Sequence, residues 1–171
     1  MDMTNNIPNS CKVVVIGGGV AGCSTAYHLA KFGWKNTVLL ERDVLTSGTT
    51  WHAAGLIGQL GSSATITRLR NYSLNLYKQL EDETGLSTGL KQNGSLTVAT
   101  TSDRLEELKR QVTFAQRFEI EAKVVNKEEI KHIYPLINTD DIVGGVFITR
   151  DGQADPVGVA NVLAKAARQN G

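Results

Sequence analysis

Cysteine is scarce: Cys11 and Cys23 are the only two in 171 residues, and neither has a histidine or second cysteine at metal-ligand spacing. That leaves a disulfide framework and a zinc site without support, and two free thiols suit a reducing compartment. Net charge is nearly absent, with 18 basic against 17 acidic side chains, so nothing draws the whole chain to nucleic acid or an anionic membrane. No apolar run approaches the roughly 20 residues that a bilayer span needs. The opening MDMTNNIPNSCK is a polar leader without a basic-then-apolar signal pattern. These absences predict a soluble, cytoplasmic protein with no nucleic-acid or membrane partner. Internal repeats, low-complexity tracts and charge blocks are missing too. What is present is 41% apolar and 20% charged residues, enough for a buried core and incompatible with disorder along the whole chain.

The β-branched run Lys12 to Ile16 ends in three glycines and gives way to helical spacing at Ala21, Thr25, Leu29 and Phe32. Gly33 stops that helix, and Thr37 to Leu40 follows as an apolar strand whose lack of alternation predicts burial on both faces. The unit is βαβ, and right-handed crossover geometry lays its strands parallel, with both C-terminal ends at one crevice. Apolar residues from Ala64 to Glu83 repeat at three and four, predicting an amphipathic helix closed by Gly85. Ser95 to Thr100 reads as a strand, and Ser102 as the cap of a helix with Leu105, Leu108, Val112 and Ala115 on one stripe. Short strands are expected over Ala122–Val125 and Val143–Ile148, with a helical turn or two from Lys127 to His132 between them. Asp155-Pro156 opens a last helix with a capping carboxylate and a proline at its first position. With no strand returning after that helix, the expectation is the N-terminal part of a longer chain.

Gly17, Gly19 and Gly22 fall at the first, third and sixth places of a turn that joins a strand to a helix. Gly17 permits the sharp turn, Gly19 lets the backbone approach a diphosphate, and Gly22 lets the helix close on the strand. The helix start then offers unpaired amides and partial positive charge to the phosphates. Glu41, 19 residues beyond Gly22 at the end of the second strand, suits a ribose with free 2′- and 3′-hydroxyls. This much fits either FAD or NAD, whose adenosine diphosphate halves are the same.

The stretch Thr46 to Leu56 lacks periodicity and is rich in glycine and hydroxyls, a composition more often functional than idle. It follows the ribose-binding acid, so it runs along the remainder of the dinucleotide, with Trp51 as an apolar wall. His52 is the only side chain there able to act as nucleophile or change charge near neutral pH, though a lone histidine is at least as often a structural hydrogen-bonder. His28 and His132 read as structural.

The glycine turn, LLER at 39–42, LTSGTTWHAAGL at 45–56, LEDETG at 80–85, QNGSL at 92–96 and DGQADP at 151–156 together resemble the N-terminal part of the sarcosine and dimethylglycine dehydrogenases, in the flavoprotein family related to D-amino acid oxidase. The resemblance implies an α/β fold: a Rossmann-like FAD-binding domain with a parallel sheet, plus the start of an interleaved antiparallel substrate domain. Residues 12–60 would form the dinucleotide-binding unit and flavin loop, and 85–150 the opening strands and helix of the substrate domain. It implies FAD contacts at Gly17, Gly19, Val20, Ala21, Gly22, Glu41 and Arg42. Gly48, Thr49, Thr50, Trp51, His52, Ala53, Ala54, Gly55 and Leu56 would surround the diphosphate and flavin, with His52 covalently bonded to the ring.

The implied reaction is hydride removal from the N-methyl group of a small amine, with an electron-transfer flavoprotein or oxygen as acceptor and tetrahydrofolate bound in a C-terminal region outside this sequence. For a eukaryotic source the implied compartment is the mitochondrial matrix. Arg68 and Arg70 are the nearest cations for a substrate carboxylate, although a solvated helix face is the commoner reason for such a pair. Catalytic residues are expected from outside this sequence. Two rivals share the glycine turn: a NAD-dependent Rossmann dehydrogenase, which leaves the TWHAAG loop unexplained, and a non-catalytic relative such as the regulatory subunit of pyruvate dehydrogenase phosphatase, which has no evident need of His52.

Overall fold

The computed structural model describes residues 8–171, so the first part of the polar leader, Met1–Ile7, lies outside it. The chain divides into two compact units. The first takes in the residues up to Gly55, with Tyr77–Gly89 and Ala154–Gly171, and the second takes in Leu56–Leu76 and Leu90–Gln153.

In the first unit, β1 (Val13–Ile16) and β2 (Thr37–Leu40) pair in parallel, Val13 opposite Thr37 and Ile16 opposite Leu40. The helix α1 (Val20–Lys31) connects them, as the periodicity predicts. β1 starts one residue later than expected, although the Lys12 amide still donates to the Asn36 carbonyl at 3.0 Å. The helix ends in a Schellman arrangement, with Gly33 at φ +82° donating to the Ala30 carbonyl and Trp34 to the Leu29 carbonyl.

The buried face of α1, Cys23, Ala26, Tyr27 and Ala30, packs on α5 (Pro156–Gln169), which buries Val159, Ala160, Val162, Leu163 and Ala166. Full burial of each larger apolar side chain there contributes about 1.5–3 kcal/mol. Asp155 caps α5 through its carboxylate on the Val157 amide at 3.0 Å, with Pro156 at the first position, as expected. The closing turns of a long helix, α2 (Ala64–Thr84), belong here also: Leu80 is fully buried, and Lys165 Nζ donates to the Thr84 carbonyl at 2.7 Å. The expectation of a β2 buried on both faces fails. Val38 and Leu39 are half-buried and Leu40 is exposed, because among the described residues this sheet has only two strands.

The second unit is antiparallel. Its main sheet runs in the order β4 (Ser95–Ala99), β6 (Gly144–Ile148), β5 (Ala122–Val125). The helix α3 (Ser102–Gln116) covers one face, its Leu105, Leu108, Val112 and Ala115 stripe meeting Ala99, Val146 and Ile148. Its cap is Thr101, whose hydroxyl accepts from the Arg104 amide; the sequence reading places the cap one residue late, at Ser102. Leu96, Val98 and Phe147 pack with Val125, Ile142 and Ile130, the last from α4 (Lys127–Ile133). Asn126 and Glu129 close α4 with a reciprocal capping box. A two-residue pair, β3 (Leu56–Ile57) with β7 (Gly152–Gln153), escapes the sequence reading. The buried Asp151 fixes this region, accepting from the Gln59 amide at 2.7 Å and the Ser95 hydroxyl at 2.6 Å.

Candidate cofactor-binding site

The glycine turn sits between β1 and α1. Gly17 has φ +105°, a conformation that L side chains avoid, and no atom lies within 4 Å of where its Cβ would stand. A Cβ on Gly22 would lie 1.9 Å from the Gly17 carbonyl oxygen, so the close approach of helix to turn requires glycine there. The expected roles of these two residues thus have a steric basis. Gly19 supplies extended backbone at the helix cap and no side chain to close it. Among the described residues the amides of Gly19, Ala21 and Gly22 find no acceptor, which is the normal state of an uncapped helix start and the condition for holding an anion.

Glu41 comes to this turn from the end of β2. Its Oε2 accepts from the Gly18 amide at 2.6 Å and its Oε1 from the Asp43 amide at 3.2 Å. These two bonds, the Gly18 one first, hold its carboxyl below the usual carboxylate range. Each oxygen keeps a further lone pair, so a hydroxyl pair remains within its capacity. Arg42 is exposed beside it.

Gly18, the middle glycine, is absent from the sequence-derived set and is closely surrounded. Its Cβ would fall 2.5 Å from Leu45 Cδ2 and 3.0 Å from Glu41 Cβ. Its carbonyl accepts from the Thr46 amide at 3.0 Å and faces the buried Cys23 thiol at 3.6 Å. Burial pushes that thiol's pKa up. Nothing in a G-x-G-x-x-G pattern marks the second position, because its neighbours arrive from β2 and the loop beyond.

The loop from Ser47 to Ala54 is exposed except at Thr50. Thr50 is 7% exposed, and its hydroxyl accepts from the Val20 amide at 3.0 Å. A 3-10 turn spans Thr50–His52, with the His52 amide on the Thr49 carbonyl and the Ala53 amide on the Thr50 carbonyl. The His52 and Trp51 rings stack with centroids 3.8 Å apart, both exposed. Gly48, Thr49, Ala53 and Ala54 complete the exposed strip, and the Gly55 carbonyl accepts from the Ala154 amide at 2.8 Å. Leu56 opens β3 of the second unit. The structure therefore gathers Gly17 to Gly22, Glu41 and Thr50 around one helix start and hangs Trp51 and His52 on the turn that Thr50 begins.

Each of the remaining sequence candidates has its own local surroundings. His28 Nδ1 lies 2.7 Å from the Ser24 carbonyl, one turn earlier in α1, and His132 is exposed in the last turn of α4. Arg70 donates to the Leu60 carbonyl, bracing the loop ahead of α2. The Arg68 guanidinium lies over the Phe118 ring at 5.9 Å, in an open cleft shared with Asn71 and Arg150. No group of side chains among the described residues makes a metal site, and none of the described helices is long and apolar enough to cross a membrane.

Comparison with known proteins agrees with this geometry. Residues 12–171 match the family model described as FAD dependent oxidoreductase, DAO. Human mitochondrial sarcosine dehydrogenase is 46% identical over 166 residues, 96% of this chain and 18% of the relative. Rat mitochondrial dimethylglycine dehydrogenase is 41% identical over 160 residues, 94% of this chain and 19% of the relative. The chain thus spans about a fifth of the length of these relatives. Among solved structures, L-proline dehydrogenase from P. horikoshii superposes with a TM-score of 0.88 at 29% identity, over 96% of this chain and 43% of the other. The glycine turn, the acid at the end of β2 and a family match from Lys12 to the last residue agree: this chain belongs to the DAO family of FAD-dependent oxidoreductases.

Proposed function

We propose that this chain forms the nucleotide-holding part of an FAD-dependent enzyme that oxidises the N-methyl group of a small amino acid, of which sarcosine and dimethylglycine are the type. One observation carries the reading: the Thr50 hydroxyl on the Val20 amide seats the His52 turn at the same helix start whose free amides suit a diphosphate. In this reading the amides of Gly19, Ala21 and Gly22 take the diphosphate and Glu41 takes the ribose hydroxyls, with Arg42 beside it. Gly17 and Gly22 shape the turn, Val20 and Ala21 open the helix, and Gly48, Thr49, Thr50, Trp51, Ala53, Ala54, Gly55 and Leu56 lie along the flavin half.

When bound, FAD supplies an acceptor for the hydride leaving the amine carbon. His52 would tether it through an imidazole nitrogen, carried on the Thr50–His52 turn. The oxidised amine is an iminium ion, which water splits to formaldehyde or which passes its one-carbon unit to tetrahydrofolate. An electron-transfer flavoprotein is the proposed electron acceptor. The names of the two dehydrogenases support the substrate and, for a eukaryotic source, a mitochondrial compartment, while the partner rests on the sequence resemblance alone.

The test is anaerobic mixing of the whole flavin-loaded enzyme, of which this chain is the nucleotide-holding part, with sarcosine or dimethylglycine. Bleaching of the flavin absorption band is expected. A protein without flavin that binds NAD instead would refute the proposal.

A further inference from the structure

We infer that Thr50 is a positioning residue for His52. The inference rests on His52 being the flavin tether and goes beyond it in naming what aims the imidazole.

Every helix start leaves amides unpaired, and the usual remedy is a side chain at the capping position itself. Gly19 occupies that position and has none. The Val20 amide is instead satisfied from 30 residues further along, by Thr50 Oγ1 at 3.0 Å. The hydroxyl is seated tightly, since a Cβ on Gly19 would come within 3.0 Å of it. Thr50 is also the buried residue of an otherwise exposed strip, 7% accessible between an exposed Thr49 and an exposed Trp51.

From this anchor the 3-10 turn leads to His52 in two residues, closed by the Ala53 amide on the Thr50 carbonyl at 3.1 Å. The turn packs against α5, and the Trp51 ring lies on the imidazole at 3.8 Å. A ring held only by an exposed loop would sample many directions. Here one hydrogen bond ties the start of its turn to the first amide of α1, the helix whose N-terminus receives the diphosphate in the proposed function. Nucleotide and imidazole are thereby referred to the same helix start, the imidazole through the Val20 nitrogen.

Two substitutions attack this bond from opposite sides. Thr50→Val keeps the shape and deletes the acceptor. Val20→Pro deletes the donor at the one helical position where proline is well tolerated, and Gly19, at φ −78° and ψ 179°, already has the extended backbone that a following proline requires. The readout is the rate at which flavin becomes acid-stable on the holoprotein at saturating FAD, beside the amount of FAD bound. At equal FAD occupancy both variants are expected to tether the flavin about tenfold more slowly, the factor that one hydrogen bond is worth. Thr50→Ser, which keeps the hydroxyl, is expected to restore the wild-type rate. Tethering by Thr50→Val and Val20→Pro at the wild-type rate would overturn the inference while leaving the tether in place. Wild-type protein whose flavin is wholly released by acid would overturn the tether and this inference with it.

Discussion

Replacing Gly22 by alanine puts one methyl group against backbone. The added carbon would stand 1.9 Å from the Gly17 carbonyl oxygen, whereas real contacts of this kind do not fall below 3.0 Å. The helix start and the turn must therefore separate by at least 3.0 − 1.9 = 1.1 Å, and no flexible side chain is available to absorb the movement. Overpacking of this kind costs about 1–3 kcal/mol. For a domain of this size, at about 2–4 °C per kcal/mol, Tm should fall by roughly 2–12 °C. The same separation displaces the amides of Gly19 and Ala21, so FAD affinity should drop by more than about tenfold, one hydrogen bond's worth or more. Gly58→Ala is the control, since its Cβ would make only ordinary contacts, the nearest 3.6 Å away on Asp151. Differential scanning fluorimetry and FAD titration of the wild type and both variants supply the data. A Gly22→Ala protein with the melting curve and FAD isotherm of the wild type would refute the steric reasoning and the placement of the site.

Further tests follow from the same structure. The carboxyl of Glu41 is held low by the Gly18 amide and then the Asp43 amide, so its stabilising effect is present above the ordinary value of 4.5 and is lost as pH falls through the lower folded value. Tm of the wild type should therefore decline more steeply below pH 4.5 than that of Glu41→Gln, and parallel acid limbs would contradict the contact. Leu163→Ala removes a side chain that is 1% exposed in α5 and should cost about 2–5 kcal/mol in urea unfolding. Asp151→Ala leaves the Gln59 amide and Ser95 hydroxyl without their acceptor and should cost about 2–4 kcal/mol, whereas Asp151→Asn, which keeps an acceptor, should cost less by the same measurement.

The parts of the fold legible in the sequence are those written in a single local segment. The strand, glycine turn and helix from Val13 to Lys31 show in their change of periodicity, and Asp155-Pro156 marks the start of α5 outright. Features made by distant segments are not legible in the same way. Two residues of β3 have no periodicity to read, and they are a strand only because Gly152 and Gln153 lie opposite. β2 looks like a strand covered on both sides, yet burial depends on neighbours that its own residues cannot specify. The site divides similarly. Gly17, Gly22 and Glu41 follow from a spacing whose chemistry is known, whereas Gly18 and the Thr50 hydroxyl matter through contacts that cross 23 and 30 residues of sequence. Thr101 rather than Ser102 caps α3 because two adjacent hydroxyls offer the same chemistry and only the backbone angle chooses between them.

The claim on which most depends is that the His52 imidazole reaches the flavin of a nucleotide held at the start of α1. Tryptic digestion of acid-precipitated holoprotein, followed by mass spectrometry, addresses it directly, because cleavage after Arg42 and Arg68 isolates residues 43–68 with His52 as their only histidine. The account predicts flavin on that peptide, with fragment ions placing it at His52, and an unmodified peptide from His52→Ala protein. Flavin recovered entirely in the acid supernatant, or attached to any other peptide, would contradict it.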